Sequence, residues 1–180
     1  MSLIKTISDQ VHLGFTGRIN ILTNDTGKYL GRVTLRDGLI VFAQFKETIG
    51  KSSLYHCLIE DLEADHLKFA VEPEVVGDNE IIFNLEYQEF VDTGHKIFQA
   101  YRSSKKFRPP GNLRLVIDPE FVAKGQPVNH VEFELLATIS DFSRVSDIFN
   151  ESKLLEYQIS NALVSLRQKG ALKVVGKRNN

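Results

Sequence analysis

Tryptophan is absent from this chain, cysteine and methionine occur once each, and proline appears five times in 180 residues. Each shortage excludes something. With Cys57 as the single thiol, no disulfide can close within the chain and an all-thiolate metal site is out of reach. That fits a reducing compartment, and a cytoplasmic location is the expectation. Neither sign of charge dominates: the formal net charge is -1, so no global field draws the molecule to nucleic acid or to an anionic membrane. The opening Met1-Ser2-Leu3-Ile4-Lys5 lacks a basic segment followed by a long apolar core, so neither a signal peptide nor a membrane span is expected. With no tryptophan and twelve phenylalanines, the core should be rich in Phe.

Periodicity carries most of what is there. Ile4, Ile7 and Val11 recur at helical spacing and predict a short amphipathic helix over 3–13, broken by Gly14 and Gly17. Ile19 and Ile21 alternate with Arg18 and Asn20, which predicts a half-buried strand. Asn24 to Gly27 is turn chemistry, and Tyr29 to Leu35 reads as the next strand. Asp37-Gly38 is the strongest hairpin signal, since a type I′ turn needs positive φ at its central residues. Leu39 to Phe45 is nearly all apolar and is expected to be the central strand, covered on both faces. A helix should start at Gly50, with Leu54, Leu58 and Leu62 as its buried stripe and Cys57 beside it as a small buried residue. A fourth strand follows over 67–72, ended by Pro73, and an acidic connection runs on to Glu80.

Phe83, Tyr87, Phe90, Gly94, Ile97 and Tyr101 then lie at spacings of three and four, one face of a helix over 83–102. That face is either core packing or a helix–helix or homodimer seam, with Gly94 allowing close backbone approach. The basic stretch from Arg102 to Gly111, with Pro109-Pro110, cannot continue a helix and marks the expected domain boundary. A short strand over 113–117 and a loop over 119–129 come next. The last fifty residues read as a helix over 131–139, a short helix capped by Ser143, a longer helix lined by Leu155, Ile159, Leu163 and Leu166, and a terminal strand at 172–175. Gly170 is the natural terminator of the longer helix.

Together these patterns predict an α+β fold: a small antiparallel or mixed sheet with packed helices, followed by a winged-helix-like C-terminal domain. Residues 3–72 resemble the PATAN (PatA N-terminal) domain family. The likeness rests on Thr16-Gly17, Asp37-Gly38, Val41-Phe42-Ala43 and the helix from Gly50 through Leu58. The segment from Glu132 to Val174 is similar to winged-helix segments found beside such domains, through Phe142-Ser-Arg-Val-Ser-Asp-Ile148 and Leu163-Val-Ser-Leu-Arg-Gln-Lys-Gly-Ala-Leu172. The expected organisation is a PATAN-like domain with its aromatic helix over 1–104, a linker and short strand over 105–129, and a winged-helix-like domain over 130–180. The resemblance implies a bacterial regulatory adaptor that works by protein–protein contact, linked to response regulators, surface motility or cell polarity. It implies no reaction, and no receiver-type segment is read in these residues.

Chemical motifs are thin. Gly50-Lys51-Ser52 follows an apolar strand as the end of a P-loop would, but the preceding loop carries Phe45, Glu47 and Ile49 where a phosphate cradle needs glycines. The five histidines share no metal-ligand spacing. The cluster from Arg102 to Arg108 with Asp141 to Ser146 echoes a cyclic-dinucleotide signature, with wrong arginine spacing and Ser146 in place of glycine. No catalytic residue, cofactor or metal is therefore assigned. The candidate partner-binding residues are Phe83, Tyr87, Phe90 and Tyr101, with Gln158, Asn161, Arg167 and Lys169 on the long helix. The alternative function is a winged-helix transcriptional regulator using those last four on DNA. From His130 onward seven basic side chains, Lys177 and Arg178 among them, face six acidic ones. That is little for phosphate neutralisation, so a protein partner is preferred to DNA.

Overall fold

The computed structural model describes residues 2–64 and 66–175, so Lys177 and Arg178 lie outside the described residues. The chain is α+β and divides into two compact units, residues 1–98 and 99–180. Among the described residues no helix is long and apolar enough to cross a membrane.

The first unit opens with helix α1 (Leu3–Val11), on which Leu3 and Ile7, one turn apart, are fully buried. Strands β1 (Gly17–Thr23), β2 (Tyr29–Arg36), β3 (Leu39–Phe45) and β4 (Thr48–Ile49), helix α2 (Lys51–Glu63) and strand β5 (Leu67–Pro73) follow. The strands form one antiparallel sheet in the order β4-β3-β2-β1-β5. Asp37 and Gly38 take φ of 52° and 79°, as the type I′ turn requires.

The apolar β3 is not the central strand; β2 is. Two tight hairpins in succession put β2 in the middle, and β5 returns along β1. β3 is apolar because its side chains past Leu39 are buried or half-buried on both faces, and its outer edge is covered as well. Val41 is the extra residue of a bulge between the pairs Thr34–Phe42 and Leu35–Ile40. Its carbonyl accepts from the N–H groups of Ile82 and Phe83 (3.1 and 3.3 Å), and Leu85 exchanges hydrogen bonds with Ile40. The inner face of the sheet carries Ile19, Ile21, Val33, Leu35, Ala43 and Phe45, all buried. Leu54, Cys57 and Leu58 of α2 are buried too, whereas Leu62, expected in the stripe, is exposed near the helix end.

Helix α3 (Tyr87–Ser104) starts later than Phe83, because 82–85 is held extended against β3. A Cβ at Gly94 would lie 2.5 Å from Leu58 Cδ2, and the Tyr55 and Phe90 rings stack at 6.0 Å between centroids. The helix–helix seam expected of Gly94 is thus made with α2, inside the unit.

The second unit contains strand β6 (Arg114–Ile117), helices α4 (Pro119–Ala123), α5 (His130–Asp141), α6 (Val145–Glu151) and α7 (Glu156–Gln168), and strand β7 (Leu172–Val175). Its core includes Leu135, Ile139, Ile148, Ile159, Leu163 and Leu166. Two expectations need correction. The segment 119–129 is not all loop: Asp118 caps α4 by accepting from Glu120 N–H (3.0 Å), with Pro119 at the first helical position. Ser143 is not the cap of α6. Its carbonyl accepts from Leu115 N–H (2.7 Å) and Val145 N–H donates to Leu113 (2.9 Å), so 143–145 flanks β6 and the helix waits until Val145. β7 pairs antiparallel with β6, so the stretch 105–129, expected to link two domains, supplies this unit with a strand and a helix.

Candidate interaction surfaces

The predicted partner residues meet different fates. Phe90 is 0% exposed and belongs to the core of the first unit, which removes it from any contact face. Phe83 precedes the helix, half-buried, with the Lys51 ammonium 5.9 Å from its ring centre. Tyr87 is half-buried at the first position of α3. Tyr101, also half-buried, has the Lys105 ammonium 4.9 Å from its ring centre. On α7, Asn161 and Arg167 are exposed, but Gln158 and Lys169 are engaged. Gln158 Oε1 accepts from Leu155 N–H (2.9 Å) and so caps its own helix.

Lys169 serves a buried carboxylate that periodicity did not reveal. Glu132 is 1% exposed, at the third position of α5. It receives the Lys169 ammonium (2.7 Å), the Ser165 hydroxyl (2.6 Å) and Asn129 N–H (2.8 Å), while Asn129 Oδ1 accepts from Glu132 N–H (2.9 Å). Burial pushes the Glu132 carboxyl up, but those hydrogen bonds and the Lys169 charge outweigh it and hold the group down from 4.5 to about 2. This cluster ties the start of α5 to the end of α7. The spacing Asn129-x-x-Glu132 is a capping-box signature, so the sequence carried the signal for half of it.

The second unit also bears a groove of about 430 Å³ between α5 and the stretch joining α6 to α7. Phe133, 63% exposed, and Phe142, 37% exposed, line it, with Glu134, Asp141 and Glu151 and a single basic side chain, Lys153. Val131, Leu135 and Ile139 are the core-facing stripe of α5, and Phe133 sits off that stripe. A large aromatic misplaced with respect to the core period was the available signal. A groove of this kind holds an apolar side chain and attracts a positive one.

The remaining motifs resolve into structure. Gly50, at φ 105°, precedes α2, and Lys51 pairs with Glu89 at 3.9 Å. Burial, with the Asp61 and Glu60 charges adding to it, pushes the Cys57 thiol well above its ordinary range. Arg108 of the basic stretch pairs with Glu156 (3.0 Å) and lies over the Phe149 ring at 4.3 Å. Among the described residues no group of three or more His, Cys, Asp or Glu is placed to hold a metal ion. The chain matches no family model, no curated protein and no solved structure.

Proposed function

We propose that this protein is a non-enzymatic bacterial signalling adaptor, PATAN-like in its first unit, that docks a protein partner bearing basic and apolar side chains. The observation that carries the reading is the exposed Phe133–Phe142 groove with its carboxylate rim. Solvent-exposed aromatics in a concave patch favour protein contacts. The carboxylates repel a phosphate backbone, and Lys169, a candidate for phosphate contact, is committed to Glu132. The PATAN resemblance adds the expected setting, surface motility or cell polarity in the cytoplasm, and the order of the first unit, a helix, a run of antiparallel strands and a second helix, is compatible with it.

The test starts with the full chain as bait in its native cells, then measures the purified partner by calorimetry. Phe133→Ser and Phe142→Ser should each weaken binding at least tenfold, about 1.4 kcal/mol. Unchanged affinity in both variants sinks the reading, and so does duplex DNA binding that collapses steeply with salt.

A further inference from the structure

A second surface lies on the outer face of the first unit's sheet. Directly paired strand residues share a face, and so do residues two apart. The register therefore places Arg18, Thr34 and Phe42 in one row and Asn20, Arg32 and Gln44 in the next, with Arg36 two residues beyond Thr34. Three arginines thus stand on two adjacent strands of one face. Arg32 lies over the Phe42 ring, 4.8 Å from its centre.

The acidic connection after β5 crosses this face. Arg18 pairs with Glu74 and, at 3.4 Å, with Glu80; Arg32 reaches Glu80 at 3.6 Å; Arg36 pairs with Asp78. Among the described residues, the backbone hydrogen bonds of 74–81 are local, from Glu80 N–H to Gly77 and from Ile81 N–H to Asp78. Ion pairs are what bind this strap's charged groups to the sheet: those of Glu80 with Arg18 and Arg32 are largely buried, whereas the Arg36–Asp78 pair is open to solvent and weak in water. Three buried donors on the face lack a hydrogen-bond partner among the described residues: the Thr34 hydroxyl, on a residue 0% exposed, Arg32 Nε, and Arg18 Nε, which meets Glu74 only as an ion pair. Glu72, across from Arg18 in the register, is the one carboxylate that the sheet itself adds to that row.

We infer that this face is a docking site for an extended acidic peptide of a partner protein, and that residues 74–80 occupy it in the free chain as an internal mimic. The strap itself defines the ligand's chemistry. It presents carboxylates to guanidinium groups, and Val76 between them is buried, so the peptide that replaces the strap carries an apolar side chain among its acids. A competing peptide gains what the strap leaves unused, an acceptor for Thr34 and for Arg32 Nε. This site is separate from the groove of the second unit and does not depend on it.

The probe is a fluorescein-labelled peptide with the sequence of residues 73–81, read by anisotropy against the full chain. The variant Glu74→Gln/Asp78→Asn/Glu80→Gln, which keeps the strap but removes its charge, should bind the peptide at least tenfold more tightly than wild type. Adding Arg18→Gln and Arg32→Gln should abolish that binding. Equal affinity for wild type and the strap variant, or no binding by a strap variant with native circular dichroism, overturns the inference. So does tighter binding of a single-stranded oligonucleotide than of the peptide, which would make the face a nucleic-acid site. If the triple variant loses its fold, Asp78→Asn alone replaces it, since Asp78 is 90% exposed. Its expected gain is about threefold, and no gain overturns the inference.

Discussion

Lys169 and Glu132 show how one contact changes a residue's meaning. On the helix surface Lys169 reads as a free cation near a helix end, but its ammonium holds a carboxylate buried at the start of α5. Lys169→Ala should destabilise the protein by about 2 kcal/mol in urea unfolding at pH 7, the scale of a hydrogen bond to a charged group. Because the folded carboxyl titrates at about 2 instead of 4.5, its contribution is complete above pH 4.5 and disappears as pH falls toward 2. Stability measured across that window should drop in the wild type, and Glu132→Gln should flatten that part of the curve. Cys57 is the converse case, a residue that the sequence pattern already placed in the core. Its raised thiol pKa and full burial predict that iodoacetamide modifies it at least tenfold more slowly in the native chain than in denaturant, followed by mass.

At the scale of elements, α3 owes its position to a glycine. Gly94 lets the helix approach α2 until Leu58 fills the space a side chain would take. Gly94→Val should cost about 2 kcal/mol through overpacking, measured by thermal or urea unfolding, despite any gain in helix propensity. Phe133 is the contrasting position on α5. Being solvent-exposed, Phe133→Ser should change stability by less than about 0.5 kcal/mol, which separates a contact role from a structural one. The helices and most strands were legible in advance because their apolar residues repeat at one period. Two misplaced helix starts are those where a distant strand intervenes, α3 delayed by pairing of Leu85 with Ile40 and α6 by pairing of Ser143 with Leu115, whereas α4 was missed although Asp118-Pro119 is a local start signal. Local capping chemistry cannot anticipate a backbone partner far along the chain.

For the molecule as a whole, charge is arranged rather than accumulated. A net charge of -1 hides an arginine cluster on the first unit's sheet and an acidic groove on the second unit. A mobility shift with duplex DNA at about 0.15 M salt should show no complex, since phosphate neutralisation needs several uncommitted cations in one place. Neither surface was legible as a site. The arginines alternate with apolar residues as in any half-exposed strand, and the acids of 74–80 read as an ordinary solvated connection.

The order of the longer helices and strands, the hairpin at Asp37-Gly38 and the burial of Cys57 were settled by the sequence, because period and turn chemistry act over a few residues. Which strand is central, which acid meets Lys169 and which carboxylates cover Arg18, Arg32 and Arg36 were decided only on folding. Those are pairings between residues far apart in the chain, and their energies exist only once the backbone has brought them within reach.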